Sequence, residues 1–202
     1  GATEILSVHV SRELSGVVDV AQLAARDAPV PVTVVDSGSL SLGLGFLAQA
    51  AAEAAANGSS MSEIMTLIDE QRRRTHVFAM LDTLEFLRRS GRMNRVLATV
   101  GSWLHLKPLL KMTDGNATAE KILSANAAVQ RLIALLAEAI PLERVALVHT
   151  HALESAQALR DRAQHLLPQD NVLSVDITPV LGAHLGPGAV GFACVTAAES
   201  VS

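Results

Sequence analysis

Tyrosine is absent from this sequence, tryptophan and cysteine occur once each, and aromatic residues make up only 2% of its 202 positions. A core so poor in aromatics has to be built from Ala, Val, Leu and Ile, and a ligand cavity inside it is expected to be aliphatic. The single cysteine, Cys194, cannot form an intrachain disulfide, which excludes a disulfide-stapled fold and leaves the cytoplasm as the expected compartment. Positive charge is not in excess. Sixteen Lys and Arg against twenty Asp and Glu give −4, so the basic field of a nucleic-acid binder is missing and no nucleic-acid partner is expected. Half the residues are hydrophobic and the mean hydropathy is +0.34, too apolar for a disordered chain. The longest uncharged run, Ile177 to Ala198, is broken by Pro179, Gly182, Gly186, Pro187, Gly188 and Gly191, and reads as a loop followed by a strand. No integral membrane segment is expected, and Gly1-Ala2-Thr3-Glu4 shows no basic region of a secretion signal.

Apolar spacing predicts a strand over 5–10, a helix over 17–26, a strand over 30–36 and a helix over 40–56 stopped by Asn57-Gly58. Ser60-Met61-Ser62-Glu63 has the spacing of a capping box ahead of Ile64, Leu67 and Ile68. Alternation of this kind implies a parallel sheet. The character changes after Arg72-Arg73-Arg74, where a lobe boundary is expected: residues 1–74 form one α/β lobe and 75–202 the other. In the second lobe a strand starts at Thr75, Asp82 with Glu85 caps a short helix closed by Gly91, and Asp114-Gly115 is the dipeptide of a tight hairpin turn. A helix over 124–139, a strand over 145–150, a helix over 152–167 and strands over 172–177 and 190–196 complete the pattern. The fold class expected is α/β in two lobes, a parallel Rossmann-like first lobe and a mixed-sheet second lobe.

Ser11-Arg12-Glu13-Leu14-Ser15-Gly16 lies between a strand end and a helix start, where hydroxyls and free backbone N–H groups bind a carboxylate or phosphate. One of these serines capping the helix is the plainer alternative. Gly43-Leu44-Gly45-Phe46-Leu47-Ala48 fits G-x-G-x-x-A, but Ser37 to Leu42 separate it from the strand, and its glycines are read as points of close backbone approach to a helix or an apolar ligand. Arg88, Arg89, Arg92 and Arg95, with Lys107 and Lys111 further on, form a cationic cluster that grips a phosphate or an acidic partner or merely offsets a helix dipole. His149 and His151 lack companions for a metal site, and no metal or cofactor is expected. His184 sits among Gly182, Gly186 and Gly188, where its imidazole can donate to an anion, and Cys194 reads as a small core residue.

Four stretches together resemble the DegV family of bacterial fatty-acid-binding proteins. They are Ser11-x-x-Leu14-Ser15-Gly16; Asp36-Ser37 with Gly43-Leu44-Gly45-Phe46; Thr83 through Arg92, reading Thr-Leu-Glu-Phe-Leu-Arg-Arg-Ser-Gly-Arg; and His184-Leu185-Gly186-Pro187-Gly188-Ala189. The resemblance implies a two-lobed α/β protein that holds a long-chain fatty acid between its lobes and offers the carboxylate to a separate fatty acid kinase, which makes acyl-phosphate for phospholipid synthesis. It implies that Ser15 and His184 hold the carboxylate, and that Ser11, Gly43, Gly45, Phe46 and Gly186 border the ligand. The family's opening segment, with its Thr-Ser-Gln-Pro loop, has no match here, so a partial family member is expected. Two departures stand out: Val17 follows Ser15-Gly16 where the family has Thr, and Leu123-Ser124-Ala125-Asn126 replaces a basic stretch. A carrier rather than an enzyme is expected, since no nucleophile has an evident base and orienter. The alternatives are an ester hydrolase using Ser15 with His184, and a degenerate scaffold that binds nothing.

Overall fold

The structure is a computed structural model, and it describes residues 1–93, 106–169 and 172–198. Strands β1 (Ile5–His9) and β2 (Val32–Asp36) pair in parallel, from Ile5 opposite Val32 to His9 opposite Asp36, with α1 (Val17–Ala25) as the crossover. Parallel pairing needs such a crossover, and β-branched residues dominate β2 and supply Ile5 and Val8 of β1. Helices α2 (Ser41–Ala56) and α3 (Met61–Arg73) follow, and their apolar faces, Leu47 and Ala51 with Ile64 and Ile68, close on Val35 of β2. The capping box forms: Glu63 accepts the Ser60 N–H at 2.7 Å while the Ser60 hydroxyl accepts the Glu63 N–H at 3.4 Å.

Six strands make the second sheet, in the order β5-β4-β3-β8-β6-β7. They are β3 (Thr75–Met80), β4 (Lys107–Thr113), β5 (Asn116–Ile122), β6 (Leu142–His149), β7 (Leu173–Asp176) and β8 (Val190–Thr196). Only β6 and β7 are parallel, so the sheet is mixed. Asp114 and Gly115 turn the β4–β5 hairpin with φ of 43° and 80°, the doubly left-handed backbone that matches strand twist. On one face of the sheet α5 (Ala125–Glu138), capped by the Ser124 hydroxyl, and α6 (Leu153–Ala163) pack over Phe78, Leu109, Leu147 and Phe192. The other face, with Val77, Met112, Ala146, Val148, Ala193 and Val195, meets Phe46 of α2 together with Leu14, Leu40 and Leu42. Helix α2 thus lies between the two sheets. At Gly43 an added Cβ would sit 2.2 Å from the Ser39 hydroxyl and 2.7 Å from a Val77 methyl, so only glycine lets the helix lie this close.

The structure departs from the sequence expectation in three places. Pro179–Leu185 is a helix, α7, where a loop was expected; Pro179 occupies its first turn, where no donor is needed, and Gly186 with φ of 76° ends it. Helix α4 (Glu85–Arg89) is entered through Thr83, whose hydroxyl accepts the Glu85 N–H at 3.1 Å, while Asp82 pairs with Lys107. Helix α1 has Gly16 as its N-cap and no side-chain cap, so Ser11 does not cap it. Among the described residues no helix is long and apolar enough to cross a membrane.

Candidate functional site

Between the β1–β2 unit and the open face of the large sheet lies a cavity of about 180 Å³. Val10, Leu14 and Leu40 wall it from one side and Val77, Ala79, Met112 and Val148 from the sheet, while Leu87 of α4 and Leu181 and Leu185 of α7 close a third side. Among the described residues, none that lines it is Phe or Trp. Period-2 alternation explains the floor: on β3, Val77 and Ala79 face the cavity while Phe78 points into the opposite core. Among the described residues the polar lining consists of Ser15, Ser41, Arg92, Lys111 and His184.

Ser15 is presented by a tight turn. The Ser11 carbonyl accepts the N–H groups of Leu14 and Ser15 at 2.9 and 3.1 Å, and Ser11 itself donates its N–H to the Ser39 carbonyl at 2.8 Å. Asp36 at the end of β2 accepts the N–H of Arg12 at 3.3 Å and that of Gly38 at 2.9 Å, joining the two loops on either side of the cavity entrance. The Ser15 hydroxyl accepts the Val17 N–H at 3.3 Å, which leaves its own hydrogen free to be donated. Ser41, at the start of α2, takes the left-handed φ of 52°, and this helix also has no side-chain cap. The first turn of α2 therefore brings a partial positive charge to the cavity wall.

His184 occupies the last turn of α7 rather than a loop, and its Nδ1 is buried with no hydrogen-bond partner among the described residues. Burial, and then the nearby Arg92 guanidinium, push its pKa below the ordinary imidazole value. The ring is consequently neutral at pH 7 and offers one donor and one acceptor. The sequence places Arg92 in the cationic cluster and not at the ligand, whereas the structure sets it in the cavity lining. Its neighbours Arg88 and Arg89 are spent on Glu85, at 2.8 and 2.7 Å, and are well exposed. Arg92, carried past the helix end by Gly91 with φ of 72°, lines the cavity and uses Nη1 on the Ser90 carbonyl at 2.7 Å. The helix-closing glycine was the available signal, because it turns the chain away from the solvated face that Arg88 and Arg89 share. Arg95 lies outside the described residues. Lys107 and Lys111 are paired with Asp82 and Glu120.

Five positions expected to border the ligand do not line this cavity. Ser11 is buried behind Ser15 and acts through its backbone, while its hydroxyl accepts the Glu13 N–H at 3.3 Å. Gly43 faces Ser39 and Val77, Gly45 packs toward Leu42, and Phe46 is buried in the interface between α2 and the sheet. The helical repeat turns these three away from the cavity even though Leu40 and Ser41 beside them reach it. Gly186 lies against the Phe86 ring. The histidines at the end of β6 and just past it also part company: His149 is buried and its Nδ1 accepts the Ala152 N–H at 3.3 Å, whereas His151, two residues beyond the strand, is exposed with φ of 48°. Cys194 is fully buried, which pushes its thiol up to about 12 and keeps it protonated.

An apolar cavity with a neutral imidazole, a hydroxyl and a guanidinium in its wall suits an amphiphile with an anionic head and an aliphatic tail. A model of the DegV family matches residues 1–197. A DegV domain-containing protein of Streptomyces coelicolor is 41% identical over 196 residues, 95% of this chain and 69% of that protein. Among solved structures, a DegV family protein from Thermus thermophilus described by its fatty acid binding superposes with a TM-score of 0.86 at 33% identity, covering 97% of this chain and 72% of the other. DegV of Bacillus subtilis, described as a fatty acid binding protein, gives a TM-score of 0.83 at 30% identity over 95% of this chain and 71% of its own.

Proposed function

This chain belongs to the DegV family, and from that premise we propose that it binds a long-chain fatty acid, with the acyl chain in the aliphatic cavity and the carboxylate at Ser15, His184 and Arg92. What carries the reading is the lining of one cavity, where Ser15, His184 and Arg92, three donors of different chemistry, stand with Ser41 and Lys111 among aliphatic side chains. A carboxylate taken out of water needs several hydrogen bonds and benefits from a cation, and the acyl chain needs none. Residues 1–74 and 75–202 serve in this reading as the two lobes that enclose the ligand. Presentation of the carboxylate to a separate fatty acid kinase, for acyl-phosphate formation in the cytoplasm, is the finer part of the proposal and rests on the family resemblance. The protein acts as a carrier and does not itself transform the acid.

Native mass spectrometry of the purified protein tests the reading. An adduct with the mass of a fatty acid is expected, either co-purified or acquired on incubation with a C16 or C18 acid. A protein that takes up neither overturns it. Mixing the loaded protein with a fatty acid kinase and ATP tests the finer part, with acyl-phosphate as the expected product.

A further inference from the structure

The end of α7 is fastened by one residue from another element. Thr150 directly follows β6 and is buried, and its hydroxyl donates to the Gly186 carbonyl at 2.6 Å while accepting the Ala189 N–H at 2.8 Å. Its backbone makes two more bonds to the same turn. The Thr150 N–H donates to the Ala189 carbonyl, and the Thr150 carbonyl accepts the Gly188 N–H, both at 2.9 Å. From the other side the turn is held against α4, since a Cβ on Gly186 would lie 2.2 Å from the Phe86 ring. The turn is therefore wedged between β6 and α4, and the hydroxyl is the only part of the wedge that a side-chain substitution at 150 removes.

His184 stands two residues before the clamped carbonyl. The helix that carries it has seven residues, no side-chain cap and no buried residue, so it supplies little orientation of its own. The His184 Nδ1, buried without a partner among the described residues, makes the direction of the ring matter, because a small rotation of α7 changes which group that nitrogen can reach. We propose that Thr150 is a positioning residue of the head-group site, its hydroxyl fixing the turn that aims the His184 imidazole at the carboxylate. The inference rests on the reading of His184 given above. Serine retains the hydroxyl, whereas valine keeps the shape and leaves the Gly186 carbonyl and the Ala189 N–H unpaired, so the turn has to move.

The test compares ¹⁵N-labelled wild type, Thr150→Val and Thr150→Ser, with the His184 ring signals assigned from their loss in His184→Gln. Thr150→Val is expected to displace those signals and to weaken binding of a fluorescent fatty acid about tenfold, the cost of one misdirected hydrogen bond. Thr150→Ser is expected to restore both, and in the His184→Gln background Thr150→Val is expected to have no further effect on affinity. Unmoved His184 signals in Thr150→Val, or an equal loss of affinity with and without His184, overturn the proposal. Should Thr150→Val fail to fold, Thr150→Cys, with its weak donor and near-native size, takes its place with the same expected signs. Wild-type protein that binds no fatty acid overturns the functional reading alone, and the ring signals of the ligand-free variants still decide the role of Thr150.

Discussion

The two faces of the six-stranded sheet are built from the same strands and differ in what the alternation puts on each. Toward α5 and α6 the central strands send Phe78, Leu147, Phe192 and Cys194, which pack with Leu132, Leu135 and Leu136 of α5 and Leu159 of α6. Toward α2 they send Val77, Ala79, Ala146, Val148 and Ala193, and the cavity opens there. Side-chain volume decides the difference, because large residues interdigitate with a helical layer and small ones leave room that the opposing helix does not fill. The packed face supplies stability and the sparse face supplies space for a ligand.

Four substitutions break or sharpen this contrast. Phe192→Ala, on the packed face and fully buried, is expected to cost about 3–5 kcal/mol in urea unfolding, and a loss below about 1 kcal/mol would erase the distinction between the faces. Arg92→Ala is expected to leave the unfolding midpoint unchanged while lowering fatty-acid affinity roughly ten- to a hundredfold, the worth of one charge-assisted hydrogen bond, as read by fluorescent-ligand titration. The third concerns Glu120 at the rim of the packed face, whose pKa is lowered from 4.5 to about 2, mainly by Arg131 and then by Lys111. Because the folded-state value lies below the ordinary one, its contribution is present above about pH 4.5 and lost as pH falls toward 2. Solvent access holds this to about 1–2 kcal/mol, and the acid loss of stability is expected to shrink in Glu120→Gln when midpoints at pH 7 and pH 3 are compared. The smallest effect on stability is expected from Ala79→Leu, which adds volume where space exists. Less than about 1 kcal/mol should be lost while the co-purified acyl chain disappears from the native mass spectrum.

Elements with local chemistry were legible in the sequence. The Ser60–Glu63 box and the Asp114-Gly115 turn carry their geometry in a few neighbouring residues, and the amphipathic spacing of 125–138 marks its helix. The helix α7 was not legible, since Pro179 and Gly182 read as breakers and its ends are held by Thr150 and by packing on α4, both remote in sequence. Site residues divided along the same line. Ser15 and His184 were singled out from their motifs and both line the cavity, whereas Gly43, Gly45 and Phe46 were assigned to it because no local signal says which side of α2 faces the ligand. Arg92 was hidden among cations of which Arg88 and Arg89 are exposed and paired with Glu85.

Strand β8 is the last described strand in the chain, yet it lies at the centre of the sheet, between β3 and β6. Before it arrives on the ribosome, β3–β4–β5 and β6–β7 are two separate ribbons with apolar inner edges and no partner. The β4–β5 hairpin can close early from its own turn, but joining the ribbons needs the contact of Phe78 with Phe192, which spans more than half the chain. A nascent chain stopped before Val190 is therefore expected to expose two sticky edges at once, so a chaperone's demand on this protein should fall sharply when β8 emerges.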